Sequence, residues 1–188
     1  MRRSVPQAGS GSAGAWDSHY TGMAAPYPYG DDTTYKLAAE WVRGCGHVED
    51  WGCGPGWLRR FCDPGTYTGI DGSCSPFADV VADLTTWRSS AGGVVLRHVL
   101  EHNYGWREIL DGAVSSFTSR LFIAVFTPPA AQTRVMFTEP GYRNVPVIAF
   151  ATADLLGPVA RSGATADVAA VETGSVYGRE TVIRARRD

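Results

Sequence analysis

The sequence predicts an α/β fold: a three-layer αβα sandwich around a seven-stranded, mostly parallel sheet that closes with an antiparallel C-terminal hairpin. Three observations predict it. Short apolar runs alternate with segments of helical spacing from about residue 34 onward. The run RLFIAVF at 120–126 is apolar on both faces, as a central strand of a parallel sheet must be. Near the end, two strand-like runs at 167–172 and 180–186 flank the turn-rich TGSVYGR.

The elements follow in order. Residues 1–15 are rich in Gly, Ser and Ala and predict a disordered leader, with a single domain over 16–188. Residues 20–35 form a flap, because YTGMAAPYPYGDD reads as an ordered loop. Asp32 or Thr33 can cap a helix running to about Arg43, with Leu37, Trp41 and Ala38 inward. Gly44 and Gly46 end it. Strands are expected at 47–51, 66–70, 80–82, 93–97 and 120–126. A helical start is expected at 57–61 and a helix at 104–118, where Trp106, Ile109, Leu110, Ala113 and Val114 recur with helical spacing. Residues 128–146 read as a long irregular insertion with a possible strand at 135–137. A loop of that length is usually a lid or a binding surface. A short helix at 152–159 precedes the hairpin.

Composition narrows the function classes. The 188 residues are 44% apolar, enough for one sizeable core. Seventeen basic against nineteen acidic residues give a net charge of −2, which argues against a whole-surface polyanion binder. No run approaches the roughly 20 uninterrupted apolar residues of a spanning helix. The two N-terminal arginines are followed by no apolar stretch, so no export signal is expected and the location is expected to be cytoplasmic. Cys45, Cys53, Cys62 and Cys74 contain no C-x-x-C pair, and no metal site is expected.

The strongest motif is Glu49-Asp50-Trp51-Gly52-Cys53-Gly54-Pro55-Gly56, a glycine-rich turn between the first strand and a helical start. Such a turn lets the backbone approach a ligand closely. A dinucleotide fingerprint would need glycine where Trp57 stands, and a phosphate-binding G-K-[ST] is missing. Tyr67-Thr68-Gly69-Ile70-Asp71-Gly72 follows, where a carboxylate at a strand tip can accept from a ribose diol. The blander reading makes Asp71 an ordinary turn former. In Ala82-Asp83-Leu84 the acid can accept from an adenine amine, or merely cap a helix near Thr85. The fourth segment is Arg97-His98-Val99-Leu100-Glu101-His102.

With these four elements in this order, the sequence resembles the class I S-adenosylmethionine-dependent methyltransferases over roughly 34–187. The hairpin ending agrees, since the family's seventh strand is antiparallel. The resemblance implies S-adenosyl-L-methionine as cofactor and S-adenosyl-L-homocysteine as product. It implies that Gly52, Cys53, Gly54 and Gly56 cradle the methionine part, supported by Asp50. Asp71 with Gly72 would hold the ribose, Asp83 and Leu84 the adenine, and His98 would lie beside the sulfonium.

Three departures limit what carries over. His98-Val99-Leu100-Glu101-His102 spells H-x-x-E-H, but a zinc site needs both histidines on one helix face, and His98 ends a strand. The metal site of the small-RNA 3′-end methyltransferases needs Glu at position 98 and a later histidine, and neither is present. The base-amine methyltransferases carry [DN]-P-P-[YF] after the fourth strand; here Thr127-Pro128-Pro129 follows the fifth. His98 is the best-placed general base, and His19, Tyr20, Tyr27 and Tyr29 on the flap are secondary candidates. Glu101 and His102 are expected in the first turn of the next helix. The acceptor, at an O, N or C atom, is expected to be a small molecule. An RNA or nucleotide acceptor, or a non-catalytic partner subunit of the same fold, are the alternatives. Aromatics and arginines on the two long segments (Tyr27, Tyr29, Tyr35, Phe137, Tyr142, Arg134, Arg143) suit either a planar metabolite or a nucleotide.

Overall fold

The computed structural model describes residues 13–139 and 145–187. Most of the leader and two insertion residues singled out above, Tyr142 and Arg143, lie outside them. Seven strands form one sheet in the order β3-β2-β1-β4-β5-β9-β8. These are β1 (Val48–Trp51), β2 (Tyr67–Asp71), β3 (Val80–Val81), β4 (Ala91–Arg97), β5 (Phe117–Val125), β8 (Thr165–Glu172) and β9 (Arg179–Arg186). Strands β1 to β5 pair in parallel, whereas β9 lies antiparallel between β5 and β8. The hairpin thus enters the sheet with its second strand innermost. Because β9 runs backwards, its first residues reach the edge where the parallel strands end.

Burial explains the centre of this order. Val94, Val95 and Leu96 of β4 and Leu121, Phe122 and Ile123 of β5 are fully buried, so both strands need a covered face on each side. One cover is α3 (Trp106–Ser116) with α4 (Thr152–Arg161), around Ile109, Leu110, Leu155 and Val159. The other is α2 (Thr33–Trp41) with a 3-10 helix at Trp57–Phe61, around Tyr35, Ala38, Val42 and Leu58.

Several expectations need correction. The inner face of α2 is Thr34, Tyr35, Ala38 and Ala39, while Leu37 and Trp41 pack only partly against the core. Asp32 makes no side-chain cap; its carboxylate accepts from the Trp57 indole at 2.7 Å, and Asp31 takes the Thr33 N–H instead. Ala13–Tyr20 form a helix, α1, so residues 13–15 do not belong to an irregular leader. The crossover from β1 to β2 carries only the 3-10 helix, and no helix begins near Thr85.

The insertion is the largest departure. In place of a mostly irregular stretch, β6 (Arg134–Glu139), which contains the strand expected at 135–137, and β7 (Val145–Ala149), which was not expected, form a separate antiparallel sheet. All five β7 residues are buried, and this strand packs on the 3-10 helix Leu100–His102. Pro146 masked it in the sequence, because proline is confined to strand edges and starts. None of the described helices is long and apolar enough to cross a membrane.

Candidate active site

Strand order reverses between β1 and β4, which leaves a crevice beyond their carboxyl ends, where α/β sheets bind ligands. A cavity of about 920 Å³ opens there. Of the residues singled out for the cofactor, Asp50, Gly52, Cys53, Gly54, Asp71, Gly72, Asp83, Leu84 and His98 line it. Gly56 does not. It heads the 3-10 helix with φ of +68°, and a Cβ there would meet the Phe77 Cβ at 2.7 Å, so its role is packing.

One half of the cavity is built from backbone turns. Gly52 needs positive φ (+73°), and an added Cβ would come within 2.5 Å of Val99 Cγ2, so the turn and the β4 tip touch through a bare Cα. Asp71 is 7% exposed and accepts from the Gly54 N–H (2.8 Å), the Ser73 N–H (2.8 Å) and the Ser73 hydroxyl (2.6 Å). Burial raises its pKa, and those bonds oppose the rise. A carboxylate has about four acceptor positions, so one remains for a ligand hydroxyl. Asp83 is exposed, with one oxygen capping the Thr85 N–H and hydroxyl at 2.9 and 2.7 Å. It therefore performs the capping role in a turn rather than a helix, with its second oxygen left over. Asp50 is buried and accepts from the Tyr67 hydroxyl at 2.7 Å; burial pushes its pKa up to about 7. Burial likewise pushes the Cys53 thiol well above the ordinary range, so it is no nucleophile.

The other half is held by side chains distant in sequence. His98 ends β4 with φ of +57°, the one described non-glycine residue in the left-handed region. Its Nε2 lies 3.0 Å from Glu180 Oε2 at the start of β9, though not aligned as a hydrogen bond. Glu180 also accepts from the Thr34 hydroxyl at 2.8 Å. Arg97 Nε donates to that hydroxyl at 2.8 Å, and its Nη2 donates to the Tyr29 carbonyl at 2.8 Å and stands 3.6 Å from Glu180 Oε1. The guanidinium stacks on Tyr35 with Cζ 3.8 Å from the ring centre. Burial works to raise the Glu180 pKa, but His98, Arg97 and Thr34 outweigh it and hold it below the usual carboxylate range. Burial lowers the pKa of His98, against the pull of Glu180. Arg97, Glu180 and Thr34 were missed by sequence reasoning. The signal available was a glutamate at the start of the last strand run, which reads as a hairpin end.

Glu101 and His102 do lie in the next helical element, the 3-10 helix Leu100–His102, but the Glu101 carboxyl is engaged beyond it. Glu101 is fully buried, accepts the Phe126 N–H at 2.9 Å through Oε1, and has no partner at Oε2. Burial pushes its pKa up to about 8. His102 faces the Pro146 carbonyl at 3.2 Å, and burial takes its pKa down to about 4. His98, Glu101 and His102 thus face separate partners: the Glu180 carboxylate, the Phe126 N–H and the Pro146 carbonyl.

The flap closes the cavity. His19 Nε2 meets the hydroxyls of Tyr27 (2.8 Å) and Tyr29 (2.9 Å), and the Tyr20 hydroxyl lies 3.3 Å from that of Tyr29. Tyr20 and Tyr29 reach the cavity with Trp16, His102, Phe126 and Val176. The Tyr20 hydroxyl stands over the glycine turn, 2.7 Å from where a Gly54 Cβ would be.

No family model and no curated protein matches the sequence. Solved structures do match in shape. Magnesium protoporphyrin IX methyltransferase (ChlM) from Synechocystis PCC 6803, with S-adenosylhomocysteine bound, aligns with a TM-score of 0.62 and 17% identity over 84% of this chain and 83% of its own. The 1,6-didemethyltoxoflavin-N1-methyltransferase of Burkholderia thailandensis aligns at 0.58 and 15% over 88% and 93%. The [4+2]-cyclase SpnF aligns at 0.64 and 14% over 93% and 91%. Strand order, antiparallel β9 and these alignments agree: the chain has the class I S-adenosylmethionine-dependent methyltransferase fold.

Proposed function

We propose that this chain transfers the methyl group of S-adenosylmethionine to a small, largely aromatic acceptor. The observation that carries the reading is the convergence on one cavity of the Gly52–Gly54 turn, Asp71 and Asp83 beside an aromatic wall. Bound there, S-adenosylmethionine supplies an electrophilic methyl group on a sulfonium. The residues fit it: Asp71 retains one acceptor position for a sugar hydroxyl, and Asp83 retains one oxygen for an amine. What the chain contributes is positioning. Holding acceptor and methyl in line can supply several kcal/mol of the barrier. Trp16, in ring contact with both Tyr20 and His102, offers flat apolar surface for that purpose.

The charge of the wall favours a small neutral acceptor over RNA. Asp17, Asp50, Asp71, Asp83 and Glu139 line the cavity, whereas Arg97, the one described lysine or arginine among the lining residues, is tied to Thr34, Tyr29 and Glu180. A phosphate would meet carboxylates. A second reading, a non-catalytic scaffold of the same fold serving as a partner subunit, is supported by Tyr20 standing over the glycine turn, where its hydroxyl takes up the space beside Gly54. Calorimetry with S-adenosylhomocysteine tests the main reading: saturable binding is expected, and its absence would overturn the cofactor assignment. Methylated product, detected by mass spectrometry, separates transferase from scaffold.

A further inference from the structure

We infer that His98 and Glu180 form a proton-accepting pair, in which Glu180 positions the imidazole and His98 Nδ1 takes the proton of an acceptor hydroxyl. The inference rests on the methyltransferase reading for its reaction, and on four independent structural facts for its residues. His98 lines the cavity. Its backbone is held at φ +57°, a conformation that costs a β-carbon residue energy and persists where the surroundings enforce it. Its Nε2 is turned to a carboxylate that is 1% exposed, and both His98 Nε2 and Glu180 Oε1 are buried without an aligned hydrogen-bond partner. Glu180 is itself anchored, through Thr34, to the permanent charge of Arg97.

Each part has a task. With Nε2 facing Glu180, the neutral ring carries its proton on Nε2 and presents Nδ1, the basic nitrogen, to the ligand. Burial and the neighbouring Arg97 keep the ring neutral before reaction. His102, on the adjoining 3-10 helix, is also kept neutral, and Glu101 turns away onto the Phe126 N–H. When the acceptor oxygen attacks, its O–H electron pair stays on oxygen and the proton passes to Nδ1. The oxygen forms the new C–O bond as the methyl–sulfur bond breaks, leaving neutral S-adenosylhomocysteine and an imidazolium beside Glu180. An attacking amine has a lone pair already available, so a built base points to a hydroxyl acceptor.

The test is a nitrogen-15 titration of histidine-labelled protein saturated with S-adenosylhomocysteine, with phenol as the probe. At neutral pH His98 is expected to be neutral, protonated at Nε2, with phenol shifting the Nδ1 signal. Glu180→Gln should lower the His98 pKa by about one unit. Because Glu180→Gln leaves Arg97 without its buried counter-charge and can impair folding, Thr34→Val serves as the second variant, with a smaller shift in the same direction. A proton on Nδ1, an Nδ1 signal blind to phenol, or a titration indifferent to both variants would overturn the pair. Failure of S-adenosylhomocysteine to bind, read by calorimetry, would instead defeat the methyltransferase reading and leave the titration of the two variants to be judged without it.

Discussion

The two halves of the cavity are held together in different ways. On the β1–β3 side, the carboxylates are fixed by short-range contacts: Asp71 to Ser73 and Asp83 to Thr85, each two residues on, and Asp71 to Gly54 seventeen residues back. On the β4–β9 side, Arg97 reaches Thr34 across 63 positions and Tyr29 across 68, and Glu180 meets Thr34 across 146. The first half is a set of turns that would form wherever those strands lie side by side. The second exists only when the whole sheet, α2 and the flap are in place.

The contrast makes substitutions behave differently. Gly52→Ala should be the most damaging, because it forces a β-carbon into positive φ and within 2.5 Å of Val99. A loss of about 2–4 kcal/mol is expected in urea unfolding, and a tolerated alanine would mean that the turn and β4 do not touch. Asp71→Ala removes three hydrogen bonds and the proposed sugar acceptor. S-adenosylhomocysteine should bind about tenfold more weakly or worse, equivalent to about 1.4 kcal/mol, and unchanged affinity would dismiss the ribose role. Asp83→Ala loses a turn cap and an exposed contact. An affinity drop of about two- to threefold, with about 1 kcal/mol of stability, would rank it below Asp71; a larger binding loss would reverse that order.

The smallest effect is a change of slope. Burial raises Glu101 to about 8, so above pH 6.5 the native chain holds a proton that the unfolded chain has released. Through Glu101, stability should therefore fall as pH rises from 4.5 to about 8 and level off beyond. His102, lowered to about 4, is neutral in the native state there, but its unfolded form loses its proton around pH 6.5 and contributes the opposite slope below that. Glu101→Gln keeps an acceptor for the Phe126 N–H and cannot ionise, so its melting temperature should depend less on pH. Equal slopes would show that Glu101 is ionised in the native protein. In the same series, binding of an RNA oligonucleotide that weakens steeply with salt would reverse the preference for a neutral acceptor.

Local chemistry was readable before the structure and distant chemistry was not. Asp50-Trp51-Gly52-Cys53-Gly54, Asp71 and Asp83 announce themselves because strand, turn and acid are contiguous in sequence. The α/β class followed from apolar runs such as 120–126, which burial on two faces explains. Glu180 carries no such mark, since its partners lie on α2 and β4. Glu101 lies in the helical turn expected for it, but a dipole argument considers one helix, whereas its carboxyl is claimed by the Phe126 N–H beyond the end of β5. The β6–β7 sheet was hidden by Pro146, whose carbonyl faces His102.

Strand β9 both fills the gap between β5 and β8 and delivers Glu180 to Thr34 and His98. Until it docks, the guanidinium of Arg97 and the imidazole of His98 face the interior with no anion to answer them. Completing the scaffold and neutralising this side of the cavity are therefore one event. A half-assembled molecule could possess the β1–β3 turns, yet it would lack the counter-ion that makes the remainder of the crevice habitable, so chemical competence would report that the last strand has been laid in.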